Sequence, residues 1–284
     1  MAKDMLVLDG RSFLGNASFV IWDCHTEGKG IFDGRFHFHD FYELSFMYEG
    51  EGSYSVNGKS TAVGKGFFLL TTPCDYHMLS VAEGKRLSYY NVIFRGSILA
   101  PAVSDAIYRL PSGLFFTVKG EEYDFFYKEF SRMLADYSAE QVDPIPPLSE
   151  VLVSGAINAL AARAVKKLQN NRAEAVPTED STVRRALIYL RENYRHKLTL
   201  KEVADAVGLS VGYFSSHFKK TMQIGFAEYL LHYRLLTAAD YLASSDLPMK
   251  AVALMCGFPS YTYFSAAFND YFGISPRDYR RGGA

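Results

Sequence analysis

A short aromatic sequence occurs twice near the C-terminal end of the chain. The first copy is Tyr213-Phe214-Ser215-Ser216-His217-Phe218, and the second, fifty positions later, is Tyr263-Phe264-Ser265-Ala266-Ala267-Phe268. Each copy follows an apolar segment in which a small residue stands four places before a glycine: Ala204 before Gly208, and Ala253 before Gly257. This order is typical of a helix, a tight turn and a second helix with inward phenylalanines. The repeat predicts two helix-turn-helix units.

The first unit has recognisable signals at the start and end of its helices. Thr199-x-x-Glu202 is a capping box that begins the first helix. Gly208 can adopt the left-handed backbone that ends this helix, and Ser210 can cap the next one. The spacing of Phe214 and Phe218 then predicts an outward face made of Gly212, Tyr213, Ser215, Ser216 and Lys219.

The second unit repeats this plan with Pro248 in the place of the capping threonine and a turn one residue longer. Its predicted outward residues are Tyr261, Thr262 and Ser265.

Between the units, Phe226 to Ala243 carries an apolar stripe that consists of Ala227, Leu231, Leu235, Ala238 and Leu242. Such a helix spans roughly 27 Å, and neighbouring major-groove segments lie roughly 34 Å apart. A rigid spacer would therefore place two recognition helices along one face of a duplex.

Charge is divided unevenly along the chain. The net charge of the whole chain is −1. From Thr182 onward we count 13 Lys+Arg and 8 Asp+Glu, a net of +5, so the preceding residues carry −6. A basic C-terminal region on an acidic body is what attraction to DNA phosphates at one end requires.

The N-terminal part of the chain has the pattern of an all-β domain. Residues 1–115 contain short apolar runs separated by turns, including a hairpin signal at Asn57-Gly58. Helical spacing of Phe126, Phe130 and Met133 places a helical region at 116–169, and the polar stretch 170–181 is a linker candidate. The predicted fold class is multidomain α+β: a barrel with following helices, then an all-α domain over 182–284 with helix-turn-helix motifs at about 200–221 and 249–272.

A long apolar segment in the middle region has two interpretations. Ser149 is a candidate N-cap, and the helix that follows extends to about Leu168. One face would carry Leu152, Ala156, Ala159, Leu160 and Arg163. This face either packs against the barrel or forms the contact of a homodimer.

Composition points to a cytoplasmic protein. The three cysteines lack CxxC spacing, which suits free thiols in a reducing compartment. The segment Met1 to Asp9 is too short and polar for a signal peptide, and no apolar run is long enough for a bilayer. We therefore expect no membrane partner.

The C-terminal region closely resembles the AraC/XylS family of bacterial transcription regulators. The resemblance covers Leu198 to Arg281, and Phe272 to Arg280 contains a sequence typical of the family. It implies that bases are touched by Gly212, Ser215 and Ser216 of the first helix-turn-helix, and by Tyr261, Thr262 and Ser265 of the second. It also implies duplex DNA and a small-molecule effector as partners, with RNA polymerase as a further candidate.

Two departures from the family concern charge. Members often carry arginine where this chain has Ser216 and Ala266, and serine or alanine cannot form a bidentate contact with guanine. Lys219 and Lys220 remain basic, whereas the second unit has Asn269 and Asp270. We expect the first helix-turn-helix to supply more of the phosphate affinity, and the second to read its site weakly or by shape.

Histidines form a second motif in the barrel region. His37-x-His39-x3-Glu43, followed by His77 after a proline, resembles the cupin fold, whose enzymes hold a divalent metal with three histidines and a glutamate. Three interpretations stay open: an effector pocket, structural hydrogen bonding, or a bound metal such as Fe, Mn, Ni or Zn. Aromatic neighbours extend the candidate pocket to Phe41 and Tyr42.

The sequence therefore predicts an effector-controlled, dimeric DNA-binding regulator, with a carbohydrate as a candidate effector. No catalytic motif is present, so we expect no enzyme activity. Two alternatives remain: a metal-dependent cupin enzyme with a DNA-tethering tail, and a ligand-independent dimeric DNA-binding protein.

Overall fold

The structure is a computed structural model that describes residues 6–8, 10–15, 17–28, 34–39, 41–57, 59–73, 75–110, 114–138, 147–170, 181–222 and 224–281. The chain divides into two compact units, Met1–Ser181 and Thr182–Ala284. Most of the predicted linker, residues 171–180, lies outside the described residues, as do Gly58 and Cys74. The predicted fold class is confirmed: antiparallel strands dominate the first unit, and the described part of the second is helical.

The described strands of unit one form two facing sheets. They are β1 (Leu6–Leu8), β2 (Phe19–Glu27), β3 (His37–His39), β4 (Tyr42–Val56), β5 (Lys59–Gly64), β6 (Phe67–Thr71), β7 (His77–Ser80), β8 (Arg86–Phe94) and β9 (Leu114–Thr117). One sheet contains β1, β3, β7, β4 and β5, and the other contains β2, β8, β4, β6 and β9. β4 belongs to both sheets and joins them. β9 crosses the predicted domain boundary at residue 115 because it pairs with β6.

The predicted hairpin joins β4 to β5. Val56 pairs with Lys59, and Asn57 between them has a φ of 49°, in the left-handed region that asparagine tolerates. Asn57 Nδ2 donates a 2.6 Å hydrogen bond to Asp75, and the backbone N–H of Tyr76 donates to Asn57 Oδ1 at 3.2 Å. These contacts tie the hairpin end to the segment that leads into β7.

The helices of unit one are α1 (Gly10–Leu14), α2 (Pro101–Tyr108), α3 (Gly120–Ser138) and α4 (Pro147–Asn170). α3 covers the outer face of the sheet that contains β2, β8, β4, β6 and β9. There Phe130 stacks on Phe46 of β4, with ring centroids 5.5 Å apart. α4 begins at Pro147, before the predicted cap Ser149, because proline suits the first helical position.

The residues predicted to share one face of α4 are divided between two faces. Ala156 and Leu160 are buried, whereas Leu152, Ala159 and Arg163 are exposed. The buried face continues through Val153, Ile157, Ala161, Ala164, Val165 and Leu168. Residues Leu148–Asn170 have a mean hydropathy of 1.3, and 44% of their most apolar stretch is buried. This helix is long and apolar enough to cross a membrane, as core helices of globular proteins also are, so the expectation of no such segment was too strong.

Unit two consists of seven described helices: α5 (Ser181–Asn193), α6 (Leu200–Val207), α7 (Val211–Met222), α8 (Phe226–Ser244), α9 (Met249–Met255), α10 (Tyr261–Phe272) and α11 (Pro276–Arg280). The capping box is present, since Thr199 accepts from the N–H of Glu202 and the Glu202 carboxylate accepts from the N–H of Thr199. Ser210 and Ser260 accept from Tyr213 and Tyr263, respectively, at the starts of the two second helices.

α8 has a different buried face near each of its ends. Near its start, Phe226 and Tyr229 meet Phe218 of α7. Near its end, Leu235, Ala238, Ala239 and Leu242 join the core of α9 and α10. The predicted stripe is correct for Leu235, Ala238 and Leu242, but Ala227 is exposed because the helix turns a different face toward α7.

The two turn glycines meet different surroundings. Both have left-handed backbones, with φ of 77° at Gly208 and 78° at Gly257. A Cβ at Gly257 would lie 2.4 Å from the carbonyl oxygen of Tyr194, whereas a Cβ at Gly208 would meet nothing within 4 Å. Only the second turn therefore depends on glycine for space as well as for backbone conformation.

We expect Gly257→Ala to destabilise unit two more than Gly208→Ala. The left-handed backbone should cost about 1–2 kcal/mol in either variant, and the clash with Tyr194 should at least double that cost in Gly257→Ala. Hydrogen exchange of α6 to α10 in the full chain measures the loss of stability in both variants. Equal losses of exchange protection in the two variants would contradict the close approach of Gly257 to the carbonyl oxygen of Tyr194.

Candidate functional site

A cavity of about 300 Å³ lies between the two sheets of unit one. Most of its wall is apolar, and a polar cluster occupies part of it. The lining residues come from seven strands, from α1 and from the residue before β4. They include Leu8, Phe13, Trp22, Cys24, Phe41, Ser45, Met47, Tyr54, Leu69, Leu79, Tyr89, Asn91 and Ile93, with the histidines and glutamate of the predicted motif. A volume at the lower end of the usual range for small-molecule sites suits a compact ligand.

The fold brings His37, His39, Glu43 and His77 together. Alternation along β3 points both of its histidines to one side, and His37 pairs with His77 across the sheet. The ring centroids of these paired histidines are 4.2 Å apart. Oε2 of Glu43 lies 3.2 Å from Nε2 of His39 and 3.2 Å from Nε2 of His77. One ligand atom from each of His39, Glu43 and His77 lies within 4.8 Å of the others, so these three atoms have the spacing to hold a metal ion.

Burial sets the protonation of this cluster. It lowers the pKa of His37 to about 3, with further lowering by His77 and His39, and it also lowers the pKa of His39. Burial by itself raises the pKa of the Glu43 carboxyl, but the imidazoles of His39 and His77 outweigh it and hold this pKa well below its usual range. Burial therefore favours neutral rings at His37 and His39, and the neighbouring imidazoles favour an ionised carboxylate at Glu43.

Backbone contacts orient two of the rings. Nδ1 of His39 lies 2.7 Å from the carbonyl oxygen of Phe41, and Nδ1 of His37 lies 3.3 Å from that of Arg35. A carbonyl oxygen only accepts, so each Nδ1 carries the proton of its neutral ring. The Nε2 of His39 lies within hydrogen-bond distance of Glu43 Oε2, at 3.2 Å. His77 Nδ1 is buried with no hydrogen-bond partner in the described part of the chain.

The predicted aromatic neighbours have different positions. Phe41 lines the cavity and stacks on His39 with ring centroids 3.9 Å apart. Tyr42 does not line it: its hydroxyl is 2.8 Å from that of Tyr108, and its ring stacks on Phe94. Tyr42 begins β4, where neighbouring side chains point to opposite faces, so Glu43 faces the cavity and Tyr42 the outer layer.

Most of the cavity wall was missed at the sequence level. Alternation along β4 places Ser45 and Met47 on the same face as Glu43, and alternation along β8 adds Tyr89, Asn91 and Ile93. The period-two signal was present on both strands. β4 pairs with β8 so that Glu43 lies opposite Ile93, and this pairing makes the two rows of side chains neighbours.

The predicted DNA-contact residues of the first helix-turn-helix lie on the exposed side of α7. Gly212, Tyr213, Ser215, Ser216, Lys219 and Lys220 are all exposed, and Phe214 and Phe218 are fully buried. The ring of Tyr213 is 57% exposed and stacks on His217. Ser216 Oγ donates to the carbonyl oxygen of Tyr213 at 3.0 Å, so this hydroxyl is engaged within its own helix.

The predicted DNA-contact residues of the second helix-turn-helix are only partly exposed. Thr262 is exposed on α10, but Ser265 is half-buried and Tyr261 packs against the core of α8 to α10. Tyr263, which was not predicted, is 50% exposed. Aligning the two repeats would have found it, because Tyr263 occupies the place of Tyr213.

Comparison with known proteins matches both units. The AraC-like ligand binding domain matches residues 31–175, more than half of the chain, and a helix-turn-helix domain matches residues 203–282. The chain belongs to the AraC family of transcriptional regulators. It is therefore an AraC-type regulator with an N-terminal ligand-binding domain and a C-terminal helix-turn-helix DNA-binding domain.

Three relatives illustrate where the similarity lies. The HTH-type transcriptional activator RhaS of Escherichia fergusonii is 25% identical over 254 residues, which cover 87% of each chain. The melibiose operon regulatory protein of Escherichia coli is 22% identical over 250 residues, which cover 86% of this AraC-family chain and 83% of the relative. The uncharacterised regulator YijO of Escherichia coli is 44% identical over 93 residues, which cover 33% of each chain. These relatives are transcriptional regulators rather than enzymes.

We expect acid to destabilise unit one through His37. In the folded chain the pKa of His37 is about 3, against an ordinary 6.5. The unfolded chain therefore binds the proton first, and stability falls as pH drops from about 6.5 toward 3, by an amount on the order of a few kcal/mol. Urea unfolding at several pH values, followed by fluorescence of Trp22, the single tryptophan, measures this dependence.

His37→Asn should flatten that dependence in part, because His39 also has a lowered pKa and Glu43 contributes below its ordinary pKa. The matched control is His25→Asn on β2, since that side chain is 66% exposed. If stability depends on pH in His37→Asn as it does in the unaltered chain, the buried neutral ring contributes nothing to that dependence.

Proposed function

We propose that this AraC-family chain inserts α7 and α10 into two adjacent major-groove segments of duplex DNA and reads sequence there. The observation that carries the proposal is the matched pair of helices, each anchored by two buried phenylalanines with a tyrosine exposed at the same place. α8 contains 19 residues, about 28 Å at 1.5 Å per residue. This spacer suits recognition helices on neighbouring turns of one duplex.

The two recognition helices should contribute unequally. Lys219 and Lys220 are exposed at the end of α7, while the equivalent places in α10 hold Asn269 and Asp270, which are also exposed. Several other basic residues of unit two are engaged internally. Among them, Arg234 donates to the carbonyl oxygens of Tyr194 and His196, and Arg280 donates to that of Leu247. The α7 lysines therefore supply phosphate affinity, and α10 reads its segment through Thr262, Tyr263 and Ser265 or by shape.

The test uses full-length chain and duplexes selected by it from a random-sequence pool. Lys219→Ala with Lys220→Ala should weaken binding at every sequence. The double variant should also reduce the slope of log affinity against log salt by about 0.9 for each DNA phosphate that the lysines neutralise. Fluorescence anisotropy at several salt concentrations measures both quantities.

The matched control is Lys85→Ala, because that lysine is exposed in unit one and pairs with Glu51. It should leave affinity and slope unchanged. Failure of the full chain to enrich any duplex would contradict sequence-specific binding, and an unchanged slope in the double variant would contradict the role of the two lysines.

The cavity of unit one is the proposed effector site, with His37, His39, Glu43, His77 and Phe41 in its wall. A ligand there acts by favouring one arrangement of the regulator over another, since equal affinity for two states shifts neither. A carbohydrate is one candidate, because a relative is named for the melibiose operon. If no compound in a broad metabolite panel raises the unfolding temperature, a ligand-independent DNA-binding protein is favoured instead.

A divalent metal is the second candidate occupant of the polar cluster. His39, Glu43 and His77 would be its ligands, with His37 beside them. The hydrogen bond from His39 Nδ1 to a backbone carbonyl is the usual second contact of a metal-binding histidine. Metal analysis of the purified chain, with Glu43→Gln as the comparison, tests this occupant. Bound metal together with turnover of a substrate would favour an enzyme, which we do not expect.

The regulator is proposed to form a homodimer through α4. Its outer face carries exposed apolar or small side chains at helical spacing, namely Leu148, Val151, Leu152, Gly155, Ala159 and Ala162. Leu148 is 79%, Val151 68% and Leu152 59% exposed. An apolar stripe of this kind suits burial against the same helix of a second copy. Such a dimer would join two DNA-binding units and raise their effective concentration at paired sites.

We expect Val151→Glu and Leu152→Glu each to raise the dimer dissociation constant at least about tenfold, because an unpaired carboxylate is costly to bury. Sedimentation equilibrium measures the constant. Ala102→Glu, at an exposed place on α2, is the control. A dimer of unaltered strength in both α4 variants would place the interface elsewhere.

We further propose that this chain acts in the cytoplasm, where chromosomal DNA is accessible, and that it contacts RNA polymerase when bound beside a promoter. The family membership supports the first statement, and no membrane partner is proposed.

A further inference from the structure

The cavity of the regulator contains a second group of polar side chains besides the histidine motif. Tyr89 and Asn91 are two residues apart on β8, so the alternation of the strand turns both toward the cavity. Strand pairing places Trp22 of β2 and Ser45 of β4 on either side of Asn91, and both of these residues also line the cavity. Asn91 therefore lies in the middle of a row of side chains that crosses one sheet, and Tyr89 lies in the next row.

Asn91 offers hydrogen-bond donors to the cavity. The residue is 8% exposed, and its amide oxygen accepts a 2.8 Å hydrogen bond from Ser45 Oγ. This contact fixes which end of the amide faces Ser45. The two N–H groups of Asn91 Nδ2 have no acceptor among the described residues, so they remain for a ligand.

Tyr89 adds a buried hydroxyl to this group. The residue is 1% exposed, and its hydroxyl has no hydrogen-bond partner in the described part of the chain. Cys24 and Thr26 are polar neighbours of the hydroxyl, but neither reaches ordinary hydrogen-bond geometry with it. Because a buried hydroxyl without a partner destabilises the folded chain, a ligand that accepts from Tyr89 would recover that loss.

The wall around these donors favours an uncharged acceptor. No lysine or arginine is among the described residues that line the cavity. A carboxylate or phosphate ester would therefore lose its hydration on entry without meeting such a cation. A neutral carbonyl group loses less hydration, and its oxygen has two lone pairs, one for each donor.

The neighbouring side chains suit a flat hydrocarbon body. Trp22 and Met47 line the same part of the wall, opposite Asn91 and Tyr89 on the paired strands, and Leu69 follows Ser45 in its row. An indole ring offers a flat apolar face, and a thioether adapts to the shape that it meets.

We propose that this cavity binds a small uncharged carbonyl compound, whose oxygen accepts from Asn91 Nδ2 and the Tyr89 hydroxyl and whose body lies against Trp22 and Met47. The inference rests on the proposed effector role of the cavity and names the chemical class of the effector. Asn91 and Tyr89 are then the residues that select this class.

Two other classes of neutral ligand fit the wall less well. A sugar carries hydroxyl groups around its whole ring, and most of this wall offers them no partner. A hydrocarbon would fill the same space but would cover the donors of Asn91 and Tyr89 without pairing them.

The test compares ligands of one shape on full-length protein by calorimetry. 1-Tetralone, tetralin and tetralin-1-carboxylate share a bicyclic body and differ at a single carbon, and galactose is the sugar arm. We expect 1-tetralone to bind at least about tenfold more tightly than each of the other three. Hydrocarbon and carboxylate differ from the ketone in opposite ways, since one has no acceptor and the other has a charge.

Tyr89→Phe removes one oxygen atom that no described residue holds, so the variant should fold as the unaltered chain does. It should reduce the preference for 1-tetralone over tetralin at least about threefold, because one of the two hydrogen bonds is lost. Tyr90→Phe is the matched control. Tyr90 is next on the same strand, but it does not line the cavity, and its hydroxyl lies 3.0 Å from that of Ser131 on α3.

Asn91→Leu replaces the amide by an apolar group of similar size and should abolish the preference for the ketone. Should this variant fail to fold, Tyr89→Phe still decides. Tighter binding of the carboxylate, tetralin or galactose than of 1-tetralone overturns the inference. So does an unchanged preference in Tyr89→Phe, or a chain that binds none of the four compounds.

DNA binding separates this inference from the proposed function. The same protein is assayed, without ligand, on its selected duplexes. A chain that binds DNA but not the ketone keeps its role as a regulator and loses the carbonyl assignment. A chain that binds no duplex loses the regulatory role, whatever the calorimetry shows.

Discussion

β4 is the element on which the organisation of unit one depends, because it is the strand that both sheets share. Its first half pairs with β6 and β8, and its second half pairs with β5 and β7. Alternation along one strand thus decides that Glu43 faces the cavity while Phe46 faces α3. A shift of one residue in this register would exchange the two faces and place the carboxylate in the aromatic layer beneath α3.

Unit two uses the same separation of faces with a helical period. The buried phenylalanines of α7 and α10 orient each helix, so the exposed residues follow from the buried ones. The copies differ where their surroundings differ. Tyr261 is drawn against the α8 to α10 core, and Gly257 lies against the Tyr194 carbonyl, which has no equivalent at Gly208. One repeated sequence therefore gives two surfaces with unequal charge and exposure.

The electrostatics of the two units suit different partners. The exposed lysines of α7 remain in water, where attraction to a phosphate backbone is long-ranged and depends on salt. The Glu43 cluster lies in a cavity whose walls are mostly hydrocarbon, where a missing proton or an unpaired charge has a much larger effect. Exposed cations in unit two therefore suit a polyanion, and an enclosed polar cluster in unit one suits a small ligand.

The sequence by itself determined the fold class, both helix-turn-helix units, their caps and turns, and the convergence of His37, His39, Glu43 and His77. These features follow from local rules: helical or strand period, glycine conformation and capping. Tertiary structure alone decided the outward turn of Tyr42, the partial burial of Tyr261, the exposure of Ala227 and most of the cavity wall. Each depends on which element packs against which, and short-range periodicity shows that a residue has a face without showing what that face will meet.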